Sequence, residues 1–396
     1  MGWIEENPFF ILGVSMNDKR QTVLQLAEEQ GLLGDADVCE AAATQLTNVK
    51  KRLTAEMRWF PGTPDDKVKE LIKSLTSHAS PVSLSSSLNN LSNYTYILAA
   101  TEKQRPTTPD QLATLQKLIV ELDQTYRVLR AEDVLKDIND SRNAAGIPSI
   151  ESTNVIAEEI IALRIDTKNV LSNVLSSLTV HDLVSLITAI AISEIDKPGS
   201  DFGVILEDVM SLYEIKVERV LSQSAEDVYE GLDDLKEYFK EIEKTHHYFS
   251  ATFAEVVKNA RDFDDLFDNV PNVVSAKVDK ILRNVEKFKK YAQPLQLSSR
   301  AKGTNHELSE EVVFQVRELA ITLHNDNADY FVTKETVKIT TALQHICTEM
   351  PVWTERLSID TADLNEVITK VRVIVIILLL LIVIGLIVGL KIVLQV

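Results

Sequence analysis

Cysteine is nearly absent from this sequence: Cys39 and Cys347 are the only two in 396 residues. They match no CxxC pair and no metal-ligand spacing, which excludes a disulfide-stapled scaffold and points to inert buried thiols in a reducing compartment. Glycine and proline are scarce too, at 12 and 11, and no strand pair stands out. Missing as well are HExxH, Walker A, GxGxxG and GxSxG, so no catalytic residue, metal or cofactor is expected and the chain does not read as an enzyme. Basic residues are in deficit, 41 Lys and Arg against 59 Asp and Glu, for a formal charge of -18. A surface this acidic repels phosphate backbones and makes nucleic acid a poor partner.

The N-terminus lacks an export signal. Glu5 and Glu6 stand where a basic n-region would be, and no apolar h-region follows. Gly2 does not open a myristoylation motif, because position 6 is Glu6.

What is present is 45% hydrophobic residues, enough for real cores, with Leu, Ile, Val, Ala, Glu and Lys recurring at helical spacing. The expected fold class is all-α. A charge-free run from Val373 to Leu390 reaches about 27 Å as a helix, near the thickness of a hydrocarbon core. It predicts a single transmembrane helix over 371–390, a C-terminal anchor with the N-terminal region cytoplasmic and the membrane as a partner. Gly385 and Gly389, four apart, would let two such helices pack as a homodimer, although glycine is also simply frequent in membrane helices.

Near the start, Asn7-Pro8-Phe9-Phe10-Ile11-Leu12-Gly13-Val14 leads to a capping box of Ser15 with Asp18 and a helix that stops at Gly31. A second helix over 35–59 carries an apolar stripe of Ala42, Leu46, Val49, Leu53 and Met57. Thr63, Pro64, Asp65 and Asp66 open a third. This opening resembles a J domain, the co-chaperone module of the DnaJ family: NPFFILGV is similar to that family's YEILGV, and VKKRLTAEMRWF to the end of its helix III. The resemblance covers about residues 7–60 and implies a J-like core of Pro8, Phe9, Leu12, Gly13, Leu46, Leu53 and Trp59. It further implies an Hsp70-type chaperone as partner, met by Lys19, Arg20, Gly31, Leu32 and Leu33. The chain departs from the family where His-Pro-Asp should stand, reading Gly31-Leu-Leu-Gly-Asp35 instead, and that puts stimulation of the chaperone's ATPase in doubt.

A Ser-, Asn-, Thr- and Pro-rich stretch, 78–108, reads as a surface linker with a short helical turn near Tyr94–Ala100, separating the J-like domain 1–77 from a helical body 109–292. Thr108 and Pro109 open the first helix of that body. The run Leu183–Ile192 is too short to span a membrane and reads as a core helix. Steps of four and three from Val228 through Leu232, Leu235, Phe239, Ile242 and His246 to Phe267 make a heptad seam, predicting one helix over 225–267. It would pair within the chain, against 155–178 or 275–291, or with another chain. A second linker over 293–307 and membrane-proximal helices over 308–369 follow, the last one capped by Thr361. These readings converge on a non-enzymatic membrane-anchored helical adaptor, the alternative being a coiled-coil scaffold that self-associates.

Overall fold

The computed structural model describes residues 2–76, 88–195, 203–251, 260–326 and 330–394; the side chains of 195, 245–271, 330, 375, 378, 379 and 382–394 lie outside the description. Every regular element among the described residues is a helix. The chain divides into two compact units, Met1–Lys216 and Val217–Val396.

In the first unit, α1 (Pro8–Leu12) forms because Asn7 accepts from the Phe9 amide, Pro8 pre-sets the first turn, and Gly13 closes the C-terminus in the left-handed region. The Asn7 amide also donates to the carbonyls of Ala55 and Arg58, both at 2.9 Å, which pins α1 to a distant helix end. α2 (Arg20–Leu33) and α3 (Ala36–Thr47) form the expected hairpin, with α2 continuing through Gly31 to end at Gly34. Ser15 and Asp18 do bond, Ser15 N to Asp18 Oδ2 at 2.7 Å, but they close a turn ahead of the helix, whose N-cap is Lys19.

The helix expected over 35–59 is two helices. Asn48 ends α3 and caps α4 (Val49–Met57) by accepting from the Lys50 and Lys51 amides. This break shifts the helical phase: Val49, placed on the stripe by its spacing, is 42% exposed, while Arg52 and Glu56 turn inward and are fully buried. α5 (Asp65–Thr76) carries Asp65 and Asp66 in its first turn, where the helix dipole favours them.

The stretch expected as a linker contains α6 (Asn90–Glu102), which packs against α7 (Pro109–Arg127) and α9 (Thr153–Ser176). Leu91, Tyr94, Ile97 and Leu98 are buried, and so are Ser92, Thr95 and Thr101. Thr101 donates to the Ile97 carbonyl at 2.8 Å and Tyr94 bonds to Thr167 of α9 at 2.5 Å, which offsets the cost of burying them, while the buried Thr95 hydroxyl has no hydrogen-bond partner. Burial raises the pKa of the Tyr94 hydroxyl. Residues 78–87 of the expected linker lie outside the described residues.

α7 starts as expected, with a reciprocal capping box between Thr108 and Gln111. α8 (Ala131–Ala145) ends at Gly146, and α10 (Val180–Ile190) is the expected core helix, burying Leu183, Leu186 and Ile187, with a π-helical turn over Ala191–Ile195 behind it. α11 (Val204–Ala251) starts in this unit. Asp123, 1% exposed, accepts from the Ile205 and Leu206 amides at that start and from Arg127 Nε at 2.7 Å. The helix N-terminus thus draws its anion from α7. Gly203 passes so close that a Cβ there would collide with both Asp123 carboxylate oxygens.

In the second unit, α11 runs antiparallel to α12 (Ala260–Ala301). Lys287 Nζ meets Asp227 at 2.7 Å, Asn284 donates to the Asp227 carbonyl at 2.7 Å, and Lys280 meets Asp234 at 3.0 Å. Val228, Leu232 and Leu235 are buried, as are Val278, Ile281 and Val285. The first heptads therefore find their partner within the chain, at 275–291. Positions 252–259 of the expected 225–267 helix, and the side chains from His246 to Phe267, lie outside the described residues.

α12 runs through the expected linker 293–307 as far as Ala301, despite Pro294. An internal proline costs a helix about 3 kcal/mol, and here Leu295 and Leu297 are buried beside it, which offsets that cost. α13 (Glu307–Asp326) and α14 (Tyr330–Ile346) lie in the stretch 308–369 where helices are expected. α15 (Pro351–Leu394) starts at Pro351, which suits a first helical position. Thr361 is therefore not a cap. It lies inside the helix, donates to the Leu357 carbonyl at 2.7 Å and accepts from Gln344 at 2.9 Å.

The expected transmembrane helix over 371–390 is not found: among the described residues, no helix is long and apolar enough to cross a membrane. Val373, Ile374, Ile376, Ile377, Leu380 and Leu381 of α15 are each about half exposed. The stretch ahead of them is charged, with Glu366, Lys370 and Arg372 exposed. The expected Gly385–Gly389 packing falls on side chains outside the description.

Candidate functional site

Beneath the N-terminal helices lies a buried charge cluster. Glu56 Oε1 accepts from Arg52 Nε at 2.7 Å and Glu56 Oε2 from Arg142 Nε at 2.8 Å, with all three side chains at most 1% exposed. Each terminal guanidinium nitrogen also finds a carbonyl: Arg52 reaches Met16 at 2.7 Å and Leu46 at 3.3 Å, and Arg142 reaches Val49 at 3.1 Å and Pro148 at 3.2 Å. Burial raises the Glu56 pKa, and Arg142 and Arg52 oppose that rise. The cluster ties α4 to α8, to the end of α3 and to the turn before α2.

On this base sits a cleft of about 630 Å³, within the 300–1,000 Å³ range of ligand-binding pockets. Four aromatic residues border it, of which Phe10 is partly accessible while Phe9, Trp59 and Phe60 are buried behind it, at 0, 3 and 1% exposure. Phe9 and Trp59 stack with centroids 5.8 Å apart, Trp59 and Phe60 lie at 5.3 Å, and the Arg52 guanidinium stands 5.2 Å from the Phe9 ring. Those contacts fix the rings before anything enters.

Two turns frame the opening. One is the 15–18 turn, where Ser15 Oγ donates to Asp65 Oδ1 at 2.6 Å and accepts from the Asn17 amide at 3.1 Å. The other is the 61–63 turn, whose Pro61 carbonyl accepts from Asn89 at 2.5 Å and from Ser92 at 3.0 Å. Gly62 there has φ 68°, and a Cβ would come within 3.0 Å of Asn89 Nδ2, so only glycine fits without strain. The expected linker, through Asn89 and Ser92, holds one side of the cleft.

Asp18, Asp65 and Asp140 line the cleft with Lys69 as the basic residue among them. Apolar rings beside a carboxylate-rich rim suit a ligand pairing an apolar or aromatic group with a cation. Among the described residues no group of His, Cys, Asp and Glu is arranged to hold a metal.

The residues singled out in the sequence divide into three groups. Pro8, Phe9, Leu12, Leu46, Leu53 and Trp59 are buried together, and Gly13 is exposed beside them; Phe9, Gly13 and Trp59 also line the cleft. Lys19 and Arg20 stand exposed at the start of α2, whereas Gly31, Leu32 and Leu33 lie at its far end, about 20 Å away along a helix of this length. Leu32 and Leu33 are 88% and 84% exposed. The five residues therefore do not form one surface.

Phe10, Ser15, Phe60, Val68 and Asp140 line the cleft without having been expected to. The Thr63-Pro64-Asp65 helix start was the local signal for one rim. Asp140, far along the chain on α8, had none. Comparison of the chain with protein-family models, with curated proteins and with solved structures finds no match.

Proposed function

We propose that this chain is a non-enzymatic helical adaptor, and that it engages a partner protein through the N-terminal cleft. One observation carries the reading: the partly accessible Phe10, over a buried base of Phe9, Trp59 and Phe60, stands beside three aspartates in an open cavity of about 630 Å³. Such a cleft accepts a segment that presents an apolar or aromatic side chain next to a lysine or arginine. The buried charges support the reading because each is tied to a structural partner: Glu56 to Arg52 and Arg142, Asp123 to a helix N-terminus, Arg317 to Asp360 at 2.6 and 3.0 Å.

The J-like opening makes an Hsp70-type chaperone the first partner to try. Because Gly31-Leu-Leu-Gly-Asp35 replaces the His-Pro-Asp tripeptide, the proposed role is docking without stimulation of ATP hydrolysis. The test immobilises the full chain and measures binding of a purified Hsp70-type chaperone to it and to two variants, Asp65→Lys in the cleft and Leu32→Asp/Leu33→Asp at the hairpin tip. Loss of binding in the cleft variant alone supports the proposal with this partner. Loss in the tip variant alone moves docking to the hairpin tip. No binding to the unmodified chain removes the chaperone as partner.

A further inference from the structure

α5 buries Leu71 and Leu75 and lies against α6, where Ser74 Oγ stands 2.8 Å from the Tyr96 hydroxyl. A second face of the same helix is left to the cleft. Asp65, Val68, Lys69 and Ile72 line it, at the three-, four- and seven-residue steps that share one side of a helix. That wall is about 10 Å long, two turns. Val68 and Ile72 are half-buried, and with the partly accessible Phe10 of α1 they offer apolar surface that a ligand can touch.

At the mouth, Asp65 and Asp18 take neutral donors, Ser15 Oγ at 2.6 Å and the Ser15 N–H at 2.7 Å, so neither bond cancels a carboxylate charge. Asp140 adds a third carboxylate from α8.

Proteins grip peptide segments in a few recurrent ways, and the walls of this cleft discriminate among them. Adding a strand needs a sheet edge, and every regular element among the described residues is a helix. A proline-rich segment needs a groove of accessible rings, and Phe9, Trp59 and Phe60 are buried. Acidic or phosphorylated motifs call for clustered arginines, the opposite of three aspartates. A helix laid on a helix needs ridges and grooves, and Val68 and Ile72, four apart, make one such ridge.

We infer that the partner segment enters the cleft as an amphipathic helix. Its apolar side chains, one turn apart, seat against Val68, Ile72 and Phe10, and lysines or arginines on its flanks meet Asp18, Asp65 and Asp140. Resting on the docking role proposed for the cleft, this adds the conformation and the residue spacing that the cleft selects.

The test measures binding of three labelled peptides to the full chain by fluorescence anisotropy. One carries leucine and lysine at helical spacing, the second is an isomer with the same residues in strict alternation, and the third is a glutamate version of the first. The helical order is expected to bind about tenfold tighter than the isomer, the effect of roughly one more leucine seated on the wall. Its α-carbon NMR shifts are expected at helical values when bound. Ile72→Ser is expected to erase the preference while the alternating isomer still binds. Equal binding of the two lysine peptides, tighter binding of the isomer, or a bound peptide without helical shifts overturns the helix and leaves the cleft as a docking site. A preference that survives Ile72→Ser overturns it too, by placing the helix away from this wall. No binding of either lysine peptide, or equal binding of the glutamate version, brings down the docking role of the cleft and the helix with it.

Discussion

Arg142 Nε donates to Glu56 Oε2 at 2.8 Å across 86 positions of sequence, with both side chains out of solvent. The bond joins α8 to α4 beneath the cleft, so the shape of the cleft depends on a buried ion cluster. Removing one member of such a cluster strands the other charges, which costs about 3–5 kcal/mol. Glu56→Leu is expected to lower the melting temperature, measured by calorimetry on the full chain, by about 10 °C at this size. Replacing the whole cluster, Arg52→Met/Glu56→Leu/Arg142→Met, is expected to restore most of that loss. If the single and triple variants melt together, the cluster does not hold the base of the cleft.

Gly203 and Asp123 make a second checkable contact. Alanine at 203 would push the Asp123 carboxylate off the α11 amides. Overpacking of this kind costs about 1–3 kcal/mol. Urea unfolding of Gly203→Ala should show a lower midpoint with an unchanged slope. Wild-type stability would mean that Asp123 is not needed as the cap of that helix.

The second unit is expected to weaken in acid through His306. Gln296 donates to Ser309 Oγ at 3.0 Å, and Ser309 Oγ lies 2.7 Å from His306 Nδ1. We assign the serine hydroxyl as donor to a neutral imidazole, since its oxygen already accepts from Gln296. Burial lowers the His306 pKa, against a smaller opposing effect of Glu307. A depressed histidine pKa means that the unfolded chain binds the proton first. The contribution is therefore fully present above the unfolded value of about 6.5 and is lost as pH falls through the folded value. His306→Gln should flatten the fall in melting temperature below about pH 6.5. An unchanged slope would place the acid sensitivity elsewhere.

Both thiols should be silent in the folded chain. Cys39 and Cys347 are buried, and burial pushes the Cys347 thiol up to about 12, so little thiolate exists at neutral pH. An aromatic disulfide reagent should give no prompt colour in buffer and titrate both cysteines in urea. Prompt reaction of Cys347 in buffer would contradict its placement.

Much of the helical architecture was legible because it rests on local chemistry. Thr108 with Gln111, Pro8 after Asn7, and Asp65 with Asp66 each announce a helix start through neighbours a few residues away. What was not legible depends on distant partners. α6 looked like a linker because Ser92, Thr95 and Thr101 are polar; only α7 and α9, packed around it, turn it into core. Pro294 reads as a break until the burial of Leu295 and Leu297 is known. No spacing singles out Arg52 and Glu56, which are buried because Asn48 resets the helix and Arg142 arrives from α8. The run after Arg372 reads as a span from its length and lack of charge, yet among the described residues no helix is long and apolar enough to cross a membrane. The cleft draws on residues 9–18, 59–72 and 140–141, and no spacing rule connects those segments.

The adaptor reading rests on the cleft, and amide hydrogen exchange on the full chain tests it most directly. The chain is incubated with a short peptide of alternating leucine and lysine, and separately with its glutamate counterpart. The account predicts that the lysine peptide slows exchange at 13–18 and 59–65, while the glutamate peptide leaves those amides unchanged. Equal protection by both peptides, or none at those amides with the lysine peptide, would contradict it.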